Sequence, residues 1–445
     1  MPFRRPFFHV LTTLCILSAS LVLPCSAADA AKAPLVKVES RVIGQGNVLS
    51  GLDVLEAGDF SSLKGKKLGL LTNMCAIDRN GHHILDLLLN TPGIRLEALF
   101  SPEHGLYGTQ DTLVDDSKDT ATGMMVHSLY QRHPGTNIKT GHANPEDLKG
   151  LDAIVIDLQD IGARYYTYIT YMAYMMEDCS KAGVKVIVLD RPNPIGGTYV
   201  DGPIQDFDKR DELTAYFPMP IAHGMTMGEL AKMFNTENKI NCQLTVVPMK
   251  NWKRDMYFDQ TGLRWVNPSP NIQDLDAALV YPGIAITEAL ISMGRGTPQP
   301  FHVFGSPMIS DPQALIDHVM KLGIKGVKLE PVSFTPSGVL SKGHPGEGRE
   351  CHGARITITD RKQFRAYELG QAVIDYLQAT YGDEYTTTSK GKTVPRYNIW
   401  AIRNAASSWV CARTVERKPF AETMKLVDEQ VATFKTMRAK YLIYK

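Results

Sequence analysis

The sequence predicts an α/β protein: a parallel-sheet domain followed by a smaller mixed α/β domain. Three observations carry that expectation. From about Gly51 to Pro248, short apolar runs alternate with stretches of helical period, the pattern of βαβ units around a parallel sheet. Beyond about Val266 the texture changes to Pro- and Gly-rich segments around shorter strands. The composition, 44% hydrophobic and 21% charged over 445 residues, is that of a folded chain of two or three domains at roughly 100–200 residues each. With 48 Lys+Arg against 47 Asp+Glu there is no basic field to grip a phosphate backbone, so nucleic acid is not an expected partner.

The first thirty residues read as a signal peptide. Arg4 and Arg5 precede an apolar run from Val10 to Leu23, and the small residues Ser26, Ala27, Ala28 and Ala30 come next. The run is shorter than the roughly 20 residues that a membrane span needs. An exported protein, periplasmic or extracellular and without a stable membrane span, is therefore expected. Pro24 before Cys25 fits lipid attachment poorly. Cys15 and Cys25 would leave with this segment, and the remaining Cys75, Cys179, Cys242, Cys351 and Cys411 are widely spaced with no C-x-x-C. Buried free thiols suit them better than a disulfide framework.

The elements can be read in chain order. Lys67–Thr72 (KLGLLT) is a strand, with a helix over 83–90. Residues 94–100 (IRLEALF) and 151–156 (LDAIVI) are strands, and a helix covers Tyr168–Ala182. Residues 184–189 (VKVIVL) form a fourth strand, a helix runs over 227–235, and 243–248 (QLTVVP) supplies a fifth strand. Further on, 354–358 is a strand, and helices cover Ala366–Tyr381 and 420–441. The domain boundary is placed at 265/266, giving a larger domain over 31–265 and a smaller one over 266–445.

Ligands of open parallel sheets bind outside the carboxyl ends of the strands. The residues just past each strand are therefore the ones to inspect. After the first strand comes Asn73, and after the second Ser101-Pro102-Glu103-His104-Gly105. After the third come Asp157, Gln159, Asp160, Arg164 and Tyr166, and after the fourth Asp190-Arg191-Pro192-Asn193. One such turn is ordinary, because Asp and Asn form turns and caps. Four in succession describe the rim of a site.

Motifs narrow the chemistry. There is no G-x-G-x-x-G after the first strand, no G-x-x-x-x-G-K-[ST] and no G-x-S-x-G. His82-His83 and the group His344, Cys351, His352 lack metal-ligand spacing, so neither metal nor cofactor is expected. Carboxylates, amides, arginines and tyrosines around a cleft remain. That set suits glycoside hydrolysis, in which a carboxyl group protonates the leaving oxygen and other groups stabilise an oxocarbenium-like state. It equally suits sugar binding without turnover. An amidase or α/β hydrolase acting on wall peptides has neither the nucleophile elbow nor the metal ligands it would need.

Six segments then carry a resemblance: SPEHG (101–105), DLQDIGARYYTY (157–168), LDRPNPIGG (189–197), HGMTMGEL (223–230), PSPNI (268–272) and GRGTPQPF (294–301). In this order they resemble the exo-β-N-acetylmuramidase (NamZ) family of peptidoglycan glycoside hydrolases, over nearly the whole chain from Leu52. The resemblance implies a Rossmann-like catalytic domain, an auxiliary C-terminal domain, and a cleft between them. It also implies release of N-acetylmuramic acid from non-reducing ends of muropeptides or disaccharides derived from peptidoglycan. A non-catalytic muropeptide- or sugar-binding protein is the alternative.

The favoured catalytic residue of the family falls on Glu103, expected to be a general acid/base with its pKa raised by partial burial. His104 is expected as its orienting or proton-handling neighbour, the other reading being a turn histidine. Asp157 or Asp160 is the expected second carboxylate, and Tyr166 is expected to stack on or hydrogen-bond the sugar ring. The lactyl carboxylate of muramic acid calls for a cation, and Arg164, Arg191 and Arg295 are the candidates. Asn73, Asp190 and Asn193 are candidates for hydroxyl or acetamido contacts. His223 and Glu288 lie in or near shared motifs. Residues 288–291 (EALI) depart from the E-G-T-N-like run usual there, which puts polar contacts from that stretch in doubt.

Overall fold

The protein is described by a computed structural model covering residues 36–108, 113–131, 140–207, 213–382, 386–389, 392–395 and 407–445. The expected signal peptide, with Cys15 and Cys25, lies outside the described residues. A short strand β1 (Arg41–Val42) leads into helix α1 (Gly51–Ala57), which starts on a capping box of Ser50 and Asp53. Next in the chain are β2 (Lys67–Thr72), α2 (Ile84–Asn90), β3 (Arg95–Ser101), β4 (Ser117–Lys118), β5 (Met125–Ser128) and the single turn α3 (Pro145–Leu148). The larger half ends with β6 (Ala153–Asp157), α4 (Tyr168–Ala182), β7 (Lys185–Leu189), α5 (Met227–Glu237) and β8 (Leu244–Val247).

Strands β2 to β8 make one sheet in the order β4-β5-β3-β2-β6-β7-β8, parallel throughout except for the edge strand β4. The strands read as continuous apolar runs because both faces are covered. In β6, Ile154 and Ile156 enter one core, while Ala153 and Val155 enter the other beneath α1 and α2. From β2 the chain steps out through β3 to β5, then returns to the far side of β2 as β6. The loops after β2 and β6 thus diverge, and this reversal is where an open α/β sheet forms its crevice.

The C-terminal part contains β9 (Arg264–Trp265), paired with β1, and α6 (Leu275–Ile284). Strands β10 (Val303–Ser306), β11 (Val327–Phe334) and β12 (Cys351–Ile358) form an antiparallel sheet in the order β10-β12-β11. Helix α7 (Pro312–Lys321) packs on this sheet, and α8 (Ala366–Tyr381) packs against α7 and α6. A β13–β14 hairpin (Thr386–Ser389, Lys392–Pro395), α9 (Ser408–Val415) and α10 (Phe420–Arg438) complete the described chain. In β11, buried Val327 and Leu329 alternate with exposed Lys328 and Glu330, the signature of a sheet with one solvated face. Helices α6 and α8 touch backbone to backbone. A Cβ on Gly283 would lie 1.6 Å from the Ala366 carbonyl oxygen, so only glycine fits there.

The two parts share a core. One cluster runs from Leu71 and Ile156 in the sheet through Met172 of α4 to Leu279, Phe304, Leu369 and Phe434. Buried Arg438 at the end of α10 donates to the carbonyls of His223, Gly224 and Gly197, so the last helix is fastened to the larger half. All five described cysteines are buried free thiols.

Candidate active site

Strand β3 ends at Ser101, and the next turn carries Glu103 and His104 into a hollow open to solvent. The backbone of that turn is unusual: His104 has φ +73° and is followed by Gly105 at φ +74°. A non-glycine residue in the left-handed region costs free energy, and such strain collects at functional sites. His104 is 8% exposed, so the turn also buries an imidazole against the hollow.

The second wall comes from the loop after β6. Tyr166 lies on the hollow with its ring edge-on to Tyr168 and Tyr281, centroids 4.8 Å and 6.1 Å away. Burial holds its phenol well above the usual range, so it stays a neutral donor. Beside it, the Thr167 hydroxyl donates to Glu103 Oε2 at 2.6 Å. The third wall belongs to the C-terminal part: Ser269 and Asn271 after β9, Tyr281 on α6, then Arg295 and Phe301. Phe301 is held at φ +64°. Arg295 sits over the Phe301 ring, 5.6 Å from its centroid, and meets Glu288 at 3.0 Å.

Two neighbouring tyrosines tie these walls together. The Tyr165 hydroxyl donates to the carbonyls of Tyr281 and Pro282 at 3.1 and 2.8 Å, in the last turn of α6. The Tyr168 hydroxyl donates to the Pro268 carbonyl at 2.7 Å. Asn271 Oδ1 is buried and makes no hydrogen bond of ordinary geometry among the described residues, and the buried Tyr166 hydroxyl lies beside the Tyr168 phenol. A buried acceptor in the state of Asn271 Oδ1 marks a wall built to be completed by something else.

Of the thirteen residues expected at the site, the structure brings Glu103, His104, Tyr166 and Arg295 to this hollow, with Glu288 behind Arg295. The other eight are placed elsewhere, engaged with one another, with backbone or with side chains outside the hollow. Asp157 takes both its oxygens to Arg191, which also donates to the Ile77 carbonyl at 3.0 Å. Asp160 accepts from the Gly162 N–H at 2.7 Å and from His223 Nε2 at 3.1 Å. His223 Nδ1 accepts from the Met225 N–H, which fixes the tautomer and makes Nε2 the donor.

Arg164 is fully buried and donates to Gln205 Oε1 at 2.8 Å, and burial lowers its pKa to about 10. Asp190 accepts from the Arg191 and Gly228 N–H groups and from the hydroxyls of Thr226 and Tyr444. Burial raises its carboxyl to about 6, against the pull of those donors. Asn193 accepts from the Ile195 N–H and donates to the Met225 carbonyl, and Asn73 accepts from the Cys75 N–H. Asp160 and Arg191 border a separate hollow that also touches Cys75 and Trp265. The residues that the sequence did not single out are Thr167, Ser269, Asn271, Tyr281 and Phe301.

Among the described residues, no three His, Cys, Asp or Glu side chains converge to hold a metal ion, and no helix is long and apolar enough to cross a membrane.

Comparison with known proteins finds similarity over nearly the whole chain. The model of the NamZ exo-β-N-acetylmuramidase N-terminal region matches residues 68–276, and that of its C-terminal region matches 279–444. A Bacillus subtilis (strain 168) protein named peptidoglycan β-N-acetylmuramidase NamZ is 36% identical over 447 positions, covering 99% of this chain and all of that one. Two solved structures of DUF1343 family proteins from Bacteroides fragilis NCTC 9343 superpose on the fold. One has TM-score 0.78 and 31% identity, covering 91% of this chain and 100% of its own. The other has TM-score 0.66 and 28% identity, covering 90% and 99%.

Proposed function

The chain belongs to the exo-β-N-acetylmuramidase NamZ family of glycoside hydrolases, and from that premise we propose that it releases N-acetylmuramic acid from the non-reducing ends of peptidoglycan fragments with Glu103 as general acid/base. One observation carries the reading. Among the described residues that line the three-walled hollow, Glu103 is the only carboxyl group, and the Thr167 hydroxyl holds one of its oxygens.

In this reading Glu103 gives a proton to the glycosidic oxygen as the bond to the anomeric carbon breaks. Among the described residues the hollow supplies no second carboxylate to act as nucleophile. The substrate's own 2-acetamido carbonyl then takes that part, as it does in substrate-assisted glycosidases. Glu103, now ionised, accepts a proton from the water that completes hydrolysis. Tyr166 and Asn271 offer the buried hydroxyl and carbonyl oxygen that meet sugar hydroxyls or the acetamido N–H. Arg295 is the cation for the lactyl carboxylate, because Arg164 and Arg191 are occupied elsewhere. Export rests on Arg4, Arg5 and the apolar run after them, and cell fractionation of the full chain tests it.

The central test compares a chromogenic β-N-acetylmuramide with the matching N-acetylglucosaminide. Release from the first alone, abolished by Glu103→Gln in a protein that still folds, supports the reading. Tight binding of muramic acid disaccharides with no release from either substrate points instead to a binding protein. An N-trifluoroacetyl muramide should be hydrolysed many times more slowly if the acetamido oxygen attacks.

A further inference from the structure

We propose that Thr167 is a positioning residue for the reaction, holding Oε2 of Glu103 so that Oε1 is the oxygen that gives and regains the proton. The inference rests on the reading of Glu103 as the acid/base and adds to it a residue with a defined role.

Thr167 stands immediately before α4, where a threonine ordinarily accepts a hydrogen bond from an N–H of the first turn. Its side chain makes no such cap, and its backbone, at φ −67° and ψ −15°, is already helical. The hydroxyl instead donates to Glu103 Oε2 at 2.6 Å, across 64 residues of sequence. A β-branched side chain has few rotamers, so the donor stays where the backbone puts it. That backbone is fixed independently of the hydroxyl. The Thr167 carbonyl accepts from the N–H groups of Thr170 and Tyr171 at 2.9 and 3.0 Å. On either side, Tyr165 and Tyr168 are anchored to the carbonyls of Pro282 and Pro268.

Four consecutive residues thus divide the work: two fasten the loop to the C-terminal part, Tyr166 faces the hollow, and Thr167 reaches the acid. A carboxyl group free to rotate presents either oxygen at varying angles, whereas one held at Oε2 is limited to the geometry its reaction needs. During the cycle the proton on Oε1 passes to the leaving oxygen and one from water returns to it. The bond from Thr167 is kept in both protonation states of Glu103, because Oε2 is an acceptor in each.

The test uses the full chain, the chromogenic muramide, and Glu103→Gln measured in parallel. Thr167→Val keeps the shape and removes the donor; it should lower kcat at least about tenfold and leave KM and the melting temperature near those of the parent. Thr167→Ser, which keeps the hydroxyl, should recover kcat to within about threefold. If the valine variant does not fold, Thr167→Ala removes the donor without the added methyl and decides the matter. An inactive Glu103→Gln beside a valine or alanine variant of unchanged kcat, or a serine variant as impaired as valine, overturns this inference and leaves the reading of Glu103 standing. A Glu103→Gln variant with parental rates overturns that reading as well.

Discussion

Asp157, the last residue of β6, binds the Arg191 guanidinium with both carboxylate oxygens, one of them 2.8 Å from Nη2, and the two side chains are 0% and 5% exposed. A buried pair of this kind is costly to break, because truncating one partner strands the other charge without water. Asp157→Asn or Arg191→Ala should therefore destabilise the fold by about 3–5 kcal/mol, read as a lowered urea midpoint. Whatever folded protein remains should keep the parental preference between muramide and glucosaminide. A stable Arg191→Ala protein that loses only that preference would return Arg191 to the substrate.

Arg295 is the guanidinium that faces the hollow, and Glu288 already shares it at 3.0 Å. A lactyl carboxylate arriving there competes with Glu288 for the same donors. Arg295→Ala should raise KM for the muramide by about ten- to a hundredfold, the range of a charge-assisted hydrogen bond, and leave competitive binding of N-acetylglucosamine, which has no lactyl group, unaffected. Glu288→Gln should lower KM by relieving the competition. Equal losses on both sugars from Arg295→Ala would assign it to scaffolding.

The contrast between these two arginines shows what the sequence could and could not convey. The parallel strands were legible because a strand buried on both faces must be apolar along its length, as in 153–156, and the Tyr168–Ala182 helix ends at Gly183 in the left-handed conformation. That ionisable groups gather at strand ends was also legible. Which of them neutralise each other was not: Asp157 and Arg191 stand 34 residues apart, and Asp160 and His223 stand 63 apart. Asp190 serves α5 and Tyr444 in place of a ligand. Thr167 was hidden for a different reason, since a threonine before a helix reads as a cap. The wall from the C-terminal part was visible only as the motifs PSPNI and GRGTPQPF, with nothing in their local pattern to aim Asn271 or Phe301 at Glu103.

His83 links stability to pH. Its Nε2 donates to the Asn73 carbonyl at 2.8 Å, and its Nδ1 accepts from the Leu85 N–H at the start of α2. The ring is thus held neutral, and burial pushes its pKa down to about 4. The unfolded chain binds a proton near its ordinary value of about 6.5 and the folded chain does not, so stability falls as pH drops from about 6.5 to about 4. The loss attributable to this residue is roughly 3 kcal/mol. In His83→Gln the slope of unfolding free energy against pH across that window should flatten, whatever the change in absolute stability. An unaltered slope would place the acid sensitivity on other groups.

The C-terminus acts as a strap on the larger half. The Tyr444 hydroxyl donates to Asp190 Oδ2 at 2.6 Å and accepts from the Met249 N–H at 2.8 Å, while its ring packs edge-on against Trp252. One residue earlier, the Ile443 N–H donates to Glu229 Oε1 at 2.8 Å, the oxygen that also pairs with Arg254. Tyr444→Phe keeps the ring and removes the hydroxyl, leaving a buried N–H unpaired and a carboxylate short of one donor. It should cost about 1.5–3 kcal/mol of stability. Deleting residues 442–445 should cost more, because Glu229 then also loses the Ile443 donor. Neither change touches the hollow, so kcat on the muramide at temperatures well below unfolding should stay near the parental value. A Tyr444→Phe protein as stable as the parent would show that Asp190 is held well enough by Thr226 and the Arg191 and Gly228 N–H groups. A loss of kcat at unchanged stability would mean that the strap communicates with Glu103.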